Sequence, residues 1–141
     1  MMISSRGRYA LRVMLDMAKQ HSTQNISVRD LAARQDISRK YLESIMTALC
    51  KANLIESETG KDGGYRLRRA PEEYTAGEVL RAVEGELAPV SCVTPDGKKC
   101  DGACGCIALP FWQGLEQHIN TYVDSYTLQD LLTSQQEKKE N

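Results

Sequence analysis

The sequence predicts a mainly α-helical fold with one small two-stranded β-hairpin, and three observations predict it. Apolar residues recur at helical spacing through roughly the first fifty positions. The period then changes on either side of a glycine-rich turn, "GKDGG". Helical spacing returns after Thr75 and again, most regularly, after Pro110.

The first helix is expected over Gly7–Gln20, where Tyr9, Ala10, Val13, Met14, Met17 and Ala18 share one face. Leu11 and Leu15 add a second apolar edge, so this helix should be covered on more than one side. "STQN" breaks the pattern. Ser27 followed by Asp30 has the N-cap spacing and opens a short second helix that ends near Gln35 and buries Val28, Leu31 and Ala32. "QDIS" reads as a tight turn. Ser38 then caps a third helix running to about Ala52, with Leu42, Ile45, Met46, Leu49 and Cys50 inward. Its other face carries Arg39, Lys40, Tyr41, Glu43, Ser44 and Thr47.

Strands are expected at Leu54–Ser57 and Tyr65–Arg68, the second stopped by Pro71. Thr75 with Glu78 caps a helix through about Val83. Pro110 suits the first turn of a final long helix. In it Trp112, Leu115, Ile119, Tyr122 and Tyr126 follow at steps of 3, 4, 3 and 4, the seam of a helix that packs on a partner helix. "TLQDLL" reads as one more short turn, and the polar tail 133–141 as disordered.

Two helices, a tight turn, a polar-faced third helix and a hairpin make a winged helix-turn-helix. The whole is a mainly α fold with a small two-stranded β wing and a long C-terminal dimerisation helix. The expected division is 1–85 for the winged DNA-binding domain, 86–109 for a cysteine-rich sensor loop, 110–132 for the dimerisation helix and C-terminal turn, and 133–141 for the tail.

With 141 residues, 41% of them hydrophobic, the chain can bury one core of ordinary size. No apolar run approaches the ~20 residues of a membrane span. Arg12, Asp16 and Lys19 interrupt the N-terminal apolar positions, so no secretory signal is read there. A cytoplasmic protein with no membrane partner is expected.

The net charge of −1 hides an asymmetry. Residues 1–70 carry 13 Lys/Arg against 7 Asp/Glu, a net +6, and residues 71–141 carry 5 against 12, a net −7. A cationic N-terminal half favours a polyanion such as duplex DNA.

The start of a recognition helix lies nearest the base edges, and here it holds Ser38, Arg39, Lys40 and Tyr41. Arg39 suits guanine edges or phosphate, and Lys40 suits phosphate. Glu43, repelled by phosphate, would select cytosine amino groups if it faces the groove. The wing tip carries Lys61 between glycines with Arg66, Arg68 and Arg69 behind it, a flexible cationic hairpin able to follow the backbone. Ser5, Arg6 and Arg8 open the first helix, whose N-terminus also favours a phosphate. Arg29 and the wing residues Gly63, Gly64 and Tyr65 complete the expected DNA-contacting set. No enzyme is expected: the chain shows no nucleotide loop, no Ser/His/Asp set and no C-x-x-C beside a βαβ pattern.

Cys92, Cys100, Cys104 and Cys106 fall within 15 residues, and Cys50 alone lies elsewhere, on the inner face of the third helix. The glycines of "DGKKCDGACGC" would let this loop wrap an inorganic core, and Lys98 and Lys99 would offset thiolate charge. An iron–sulfur cluster, 2Fe–2S or 4Fe–4S, is one reading, since clustered thiols in a reducing compartment usually hold a metal. A four-cysteine zinc site lacks the usual C-x2-4-C pairs. A thiol–disulfide switch without metal and a chemically silent loop complete the alternatives.

"SSRGRYALRVMLDMA", "ISVRDLAARQDISRKYLESIMTALCKANLIES", "GGYRLRRAPEEYTAGEVLRAVEG" and "CIALPFWQGLEQHI" together resemble the Rrf-two family of bacterial transcriptional regulators, over about residues 1–132. The resemblance implies a homodimer held by the long C-terminal helix, and a palindromic operator in double-stranded DNA. It also implies an iron–sulfur cluster in members with three cysteines at C-x5-C-x5-C spacing. Here Cys106 takes the third place, Cys100 the second, and Cys92 the first after a two-residue lengthening, while Cys104 is extra. One branch supplies a histidine three residues after the third cysteine, where this chain has Leu109. Another supplies an acidic ligand from the first helix, where this chain has Arg8. Neither fourth ligand is carried over. A further branch is cluster-free and responds to a small ligand, a partner enzyme or thiol oxidation. The regulated genes and the sign of regulation are not legible in the chain.

Overall fold

The computed structural model describes residues 3–20, 24–93 and 106–140. In order they form α1 (Ser5–Gln20), α2 (Val28–Gln35), α3 (Arg39–Lys51), β1 (Ile55–Glu58), β2 (Gly64–Leu67), a 3-10 turn at Pro71–Glu73, α4 (Ala76–Glu84), a 3-10 turn at Ser91–Val93, α5 (Leu109–Asp124) and α6 (Leu128–Glu140). The chain is a winged helix-turn-helix with α5 emerging from its C-terminal side.

The core forms around α1. Ala10, Val13, Met14, Met17 and Ala18 are buried on it, with Tyr9, Leu11 and Leu15 at its flanks, and α2, α3, α4, α6 and β2 all touch it. The double apolar edge of the sequence thus meets several partners. Leu31 and Ala32 come from α2, Leu42, Ile45, Met46 and Leu49 from α3, and Val79 and Leu80 from α4.

Each predicted cap forms. The hydroxyl oxygens of Ser27, Ser38 and Thr75 accept from the backbone N–H of Asp30, Tyr41 and Glu78, each at 3.1 Å. Asp36 closes α2 in the left-handed region at φ 54°, and its N–H bonds Ala33 O, so "QDIS" turns the chain by about one tight corner into α3. Asn53 repeats that device after α3 at φ 60°.

β1 and β2 pair antiparallel, with Ile55 opposite Leu67 and Glu58 opposite Gly64. A third piece of backbone joins them: Ile26 and Tyr65 exchange two N–H···O bonds of 2.8 Å, which ties the start of α2 to the wing. Gly64 allows this approach, since a Cβ there would overlap the Ile26 carbonyl.

Two expectations are corrected after residue 126. The short turn and disordered tail are replaced by a 13-residue helix, α6, running to Glu140. Thr127 and Asp130 cap it reciprocally, at 2.9 and 3.0 Å, and Leu128 is fully buried in the core with Leu132 packed against it. The chain between α5 and α6 also pairs with the segment before α4, through Ala76 N to Tyr126 O at 2.9 Å and Leu128 N to Tyr74 O at 3.0 Å. The C-terminal turn therefore packs with the winged head.

Tyr74 locks the wing to this core. It is fully buried, its hydroxyl donates to Leu54 O at 2.6 Å, and it accepts from the N–H groups of Arg68 and Arg69 at 2.9 and 3.0 Å. Tyr74→Phe would leave buried peptide groups unpaired, so a loss of about 1–3 kcal/mol is expected in urea unfolding, with an unchanged urea dependence. Full wild-type stability would show that water replaces the hydroxyl.

Candidate nucleic-acid interface

Burial of Leu42, Ile45, Met46 and Leu49 fixes the rotation of α3 and leaves Arg39, Lys40, Glu43, Ser44 and Thr47 exposed. Tyr41 is half-buried. Its ring meets Tyr9 edge-on at 6.0 Å and its hydroxyl lies 3.0 Å from Ser5 Oγ. Ser38 and Tyr41 thus have structural duties as well as candidate phosphate contacts. Arg6 is turned toward α3, with Nη2 donating to Ser44 O at 3.5 Å and its Nε buried without a hydrogen-bond partner. Arg8 and Arg29 stand exposed.

The wing differs from the freely cationic hairpin expected. Arg66 pairs with Glu56 at 2.9 Å and reaches Glu58 at 3.8 Å. Arg68 pairs with Glu56 at 3.4 Å and Asn53 Oδ1 at 3.3 Å. Arg69 is bound inward to Glu78 at 2.7 Å and lies 4.3 Å from the Tyr74 ring centroid. The tip is also anchored, because Asn25 Nδ2 donates to Glu58 at 2.7 Å and to Asp62 O at 3.2 Å. Lys61 is exposed at that tip. An open cleft of about 510 Å³ separates wing from helices, with Arg29, Arg39, Lys61, Gly63, Gly64 and Tyr65 on its walls. The structure therefore gathers residues from α2, α3 and the wing around one opening. Tyr65 is half-buried there, packed against the core, with its backbone paired to Ile26.

The N-terminus of α1, expected to favour a phosphate, carries a carboxylate of the chain itself. The carboxylate of Glu84, at the end of α4, accepts from Ser4 N at 3.0 Å, Gly7 N at 3.1 Å and the Ser4 hydroxyl. The anion expected there is supplied by the protein itself.

The cysteines divide between described and undescribed positions. Cys100 and Cys104 lie outside the described residues. Cys92 is half-buried in the Ser91–Val93 turn, which packs on α5, and Cys106 is exposed just before that helix. Cys50 packs against the core, and burial pushes its thiol above the usual range despite a hydrogen bond with Ser57. Among the described residues no three His, Cys, Asp or Glu side chains form a metal-binding group.

α5 has no buried residue. The expected seam splits in two. Trp112 and Ile119 are half-buried, whereas Phe111, Leu115 and Tyr122 are 66%, 37% and 64% exposed, and Tyr126 lies beside Tyr122 at 5.2 Å. Sequence reasoning missed Phe111 and the fully outward Ile107, at 97% exposure. Phe111 was legible, since it stands four residues before Leu115. His118 is bonded back to Gly114 O at 2.7 Å. No helix among the described residues is long and apolar enough to cross a membrane.

A capped recognition helix, a stapled wing and a cationic opening between them define a winged-helix transcriptional regulator rather than an enzyme. The family model "Rrf2: Iron-dependent Transcriptional regulator" matches residues 3–134, and the chain belongs to that family. It is 35% identical over 132 residues to the HTH-type transcriptional regulator IscR of Aliivibrio salmonicida, covering 94% of this chain and 77% of that protein. Among solved structures it is similar to CymR, the global cysteine regulator of B. subtilis, with a TM-score of 0.76, 33% identity and coverage of 95% and 98% of the two chains. It is similar also to T. potens IscR, with a TM-score of 0.77, 30% identity and coverage of 98% and 90%.

Two substitutions separate positioning from reading. Lys61→Ala should weaken binding to all duplexes alike and lower the dependence of log K on log salt by about 0.9 for each protomer bound. Arg39→Ala should instead relax sequence preference by about 1–3 kcal/mol in anisotropy titrations across operator variants. Equal losses on every sequence would reassign Arg39 to phosphate.

Proposed function

We propose that this protein regulates transcription as a homodimer on palindromic double-stranded DNA, with an iron–sulfur cluster in its Cys92–Cys106 loop as the sensing group. The observation that carries the reading is the exposed apolar stripe of α5, placed directly after the cysteine loop. Phe111, Leu115 and Tyr122, four and seven residues apart on one face of the helix, are exposed together, and helix-on-helix packing with a second α5 would cover them. Two α3 helices would then meet two half-sites at fixed separation.

The residues fit a cluster by chemistry. Four thiols lie in 15 residues, and the loop begins at a turn packed on α5 and ends at the start of that helix. Cys92, Cys100 and Cys106 would hold it, and Cys104 is the candidate for the fourth place left open by Leu109 and Arg8. When bound, such a cluster supplies an electron-accepting, oxidant-sensitive centre. The chain's own part is to order the 86–109 segment against α5 and so fix the separation of the two heads.

Likeness to the cysteine regulator CymR favours a second reading, a regulator of the same fold that works without a cluster, through a small ligand, a partner enzyme or thiol oxidation.

Anaerobic purification followed by visible absorption and iron and sulfide analysis separates the two. The cluster reading expects bound iron and sulfide, lost on changing Cys92, Cys100 or Cys106 to Ala. A colourless, iron-free protein with intact DNA binding supports the second. For assembly, Leu115→Glu with Tyr122→Glu should convert the dimer to a folded monomer by light scattering. Affinity for a two-half-site duplex should then fall at least a hundredfold. A double variant that stays dimeric would remove α5 from the interface.

A further inference from the structure

α1 begins after Ser4, whose carbonyl accepts the first helical hydrogen bond, from Arg8 N at 3.2 Å. It has no acidic residue in its first turn, and its third residue is Gly7, a weak helix former. Both oddities have one explanation. Oε1 of Glu84, 77 residues away from Gly7 in sequence, receives the N–H of Ser4, the N–H of Gly7 and the Ser4 hydroxyl. A Cβ at position 7 would overlap that same oxygen, so glycine is what lets the carboxylate reach the helix end. Three donors on one acceptor atom, with a gap shaped for it, make a built contact.

Its position gives it consequence. The next two residues of α1 hold the recognition helix, through Ser5 Oγ to Tyr41 OH at 3.0 Å and Arg6 Nη2 to Ser44 O at 3.5 Å. On the other side, Glu84 is the last residue of α4, followed by Gly85 at φ 79°, where the chain leaves for the 86–109 loop. One turn earlier on α4, Arg81 grips α5 through both oxygens of Asp124, at 2.7 and 2.9 Å, and through Asn120 at 2.7 Å. Asn120 in turn donates to Leu87 O at 3.1 Å, at the root of the loop.

We propose that Glu84 is a positioning residue for DNA binding: its carboxylate sets the N-terminus of α1, and with it Ser5, Arg6 and Arg8, against the recognition helix, and makes that setting depend on where α4 meets the loop. The inference rests on the DNA-binding reading and deepens it. Glu84 touches no DNA in this scheme; it acts through the residues it holds.

The test compares Glu84→Ala, Glu84→Gln and the control Glu86→Gln with wild type on one palindromic duplex, across a series of salt concentrations. Glu84→Ala should weaken binding about tenfold and lower the salt dependence of log K by about one unit per protomer, since the phosphate contact of the exposed Arg8 side chain is lost when that end of α1 loosens. A variant that merely folds less well would lose affinity at an unchanged slope. Glu84→Gln keeps an acceptor for the same donors and should recover most of both quantities. Amide exchange at Ser4 and Gly7 should rise at least tenfold in Glu84→Ala and stay near wild type in Glu86→Gln. An unchanged salt slope, or unchanged exchange at those amides, overturns the proposal. If the wild type itself binds no duplex at low salt, the DNA reading fails, and the exchange arm still decides whether Glu84 sets this helix end.

Discussion

The structure depends on covering α1 from several sides at once. A chain of this size has little interior, and the one core, from Ala10 to Leu128, has Val13, Met14 and Met17 of α1 buried in it. α2, α3, α4, α6 and β2 all pack on α1, and α2 and α4 pack on α3 as well, so their apolar faces close around one shared interior. The rotation of α3, and so the exposure of Arg39, Lys40 and Glu43, follows from which of its side chains pack on that axis. The recognition surface is the remainder left when the core is satisfied.

Local chemistry made much of this legible. Ser27, Ser38 and Thr75 each announce a helix start, because a hydroxyl three residues ahead of a free N–H has an energetic use wherever the helix sits. The apolar faces of α1 and α3 follow from period alone. The hairpin shifted by about one residue, since glycine marks a turn without fixing its register. α6 was missed for a physical reason: "TSQQEKKE" is polar, and polarity was read as disorder, though its residues tolerate a helix well once Leu128 and Leu132 anchor one end. The capping pair Thr127–Asp130 was present in the sequence and is the signal that would have found it.

The parts of the site that escaped sequence reasoning are contacts between residues far apart in the chain. Glu84 and Ser4 are 80 positions apart, and no periodicity connects them. The pairing of Arg66 and Arg68 with Glu56 needs the hairpin register, in which Glu56 stands opposite Arg66. Charge counted along the chain treats these arginines as available, whereas the fold has already matched them. Only Gly7 offered a clue, as a glycine inside an otherwise regular helix, which signals close approach by another group.

That matching changes what the positive half of the molecule does. Arg8, Arg29, Arg39, Lys40 and Lys61 are exposed and take part in no ion pair among the described residues. Arg12, Lys19 and Lys51 are likewise exposed and in no ion pair among the described residues, and these cations, not the formal +6, set the positive surface available to a phosphate. Glu56 and Glu58 are matched by Arg66 and Arg68, whereas Glu43 is exposed on α3 with no ion pair among the described residues, and such a carboxylate near a phosphate backbone lowers affinity for every sequence alike. Its presence is offset where the groove returns something specific, such as a cytosine amino group. A face of mixed charge thus gives up non-specific attraction and gains discrimination, because the wrong duplex meets the repulsion without the compensating contact. For a small regulator searching a long polyanion, that exchange is more useful than a uniformly basic surface, since competing sites vastly outnumber the operator.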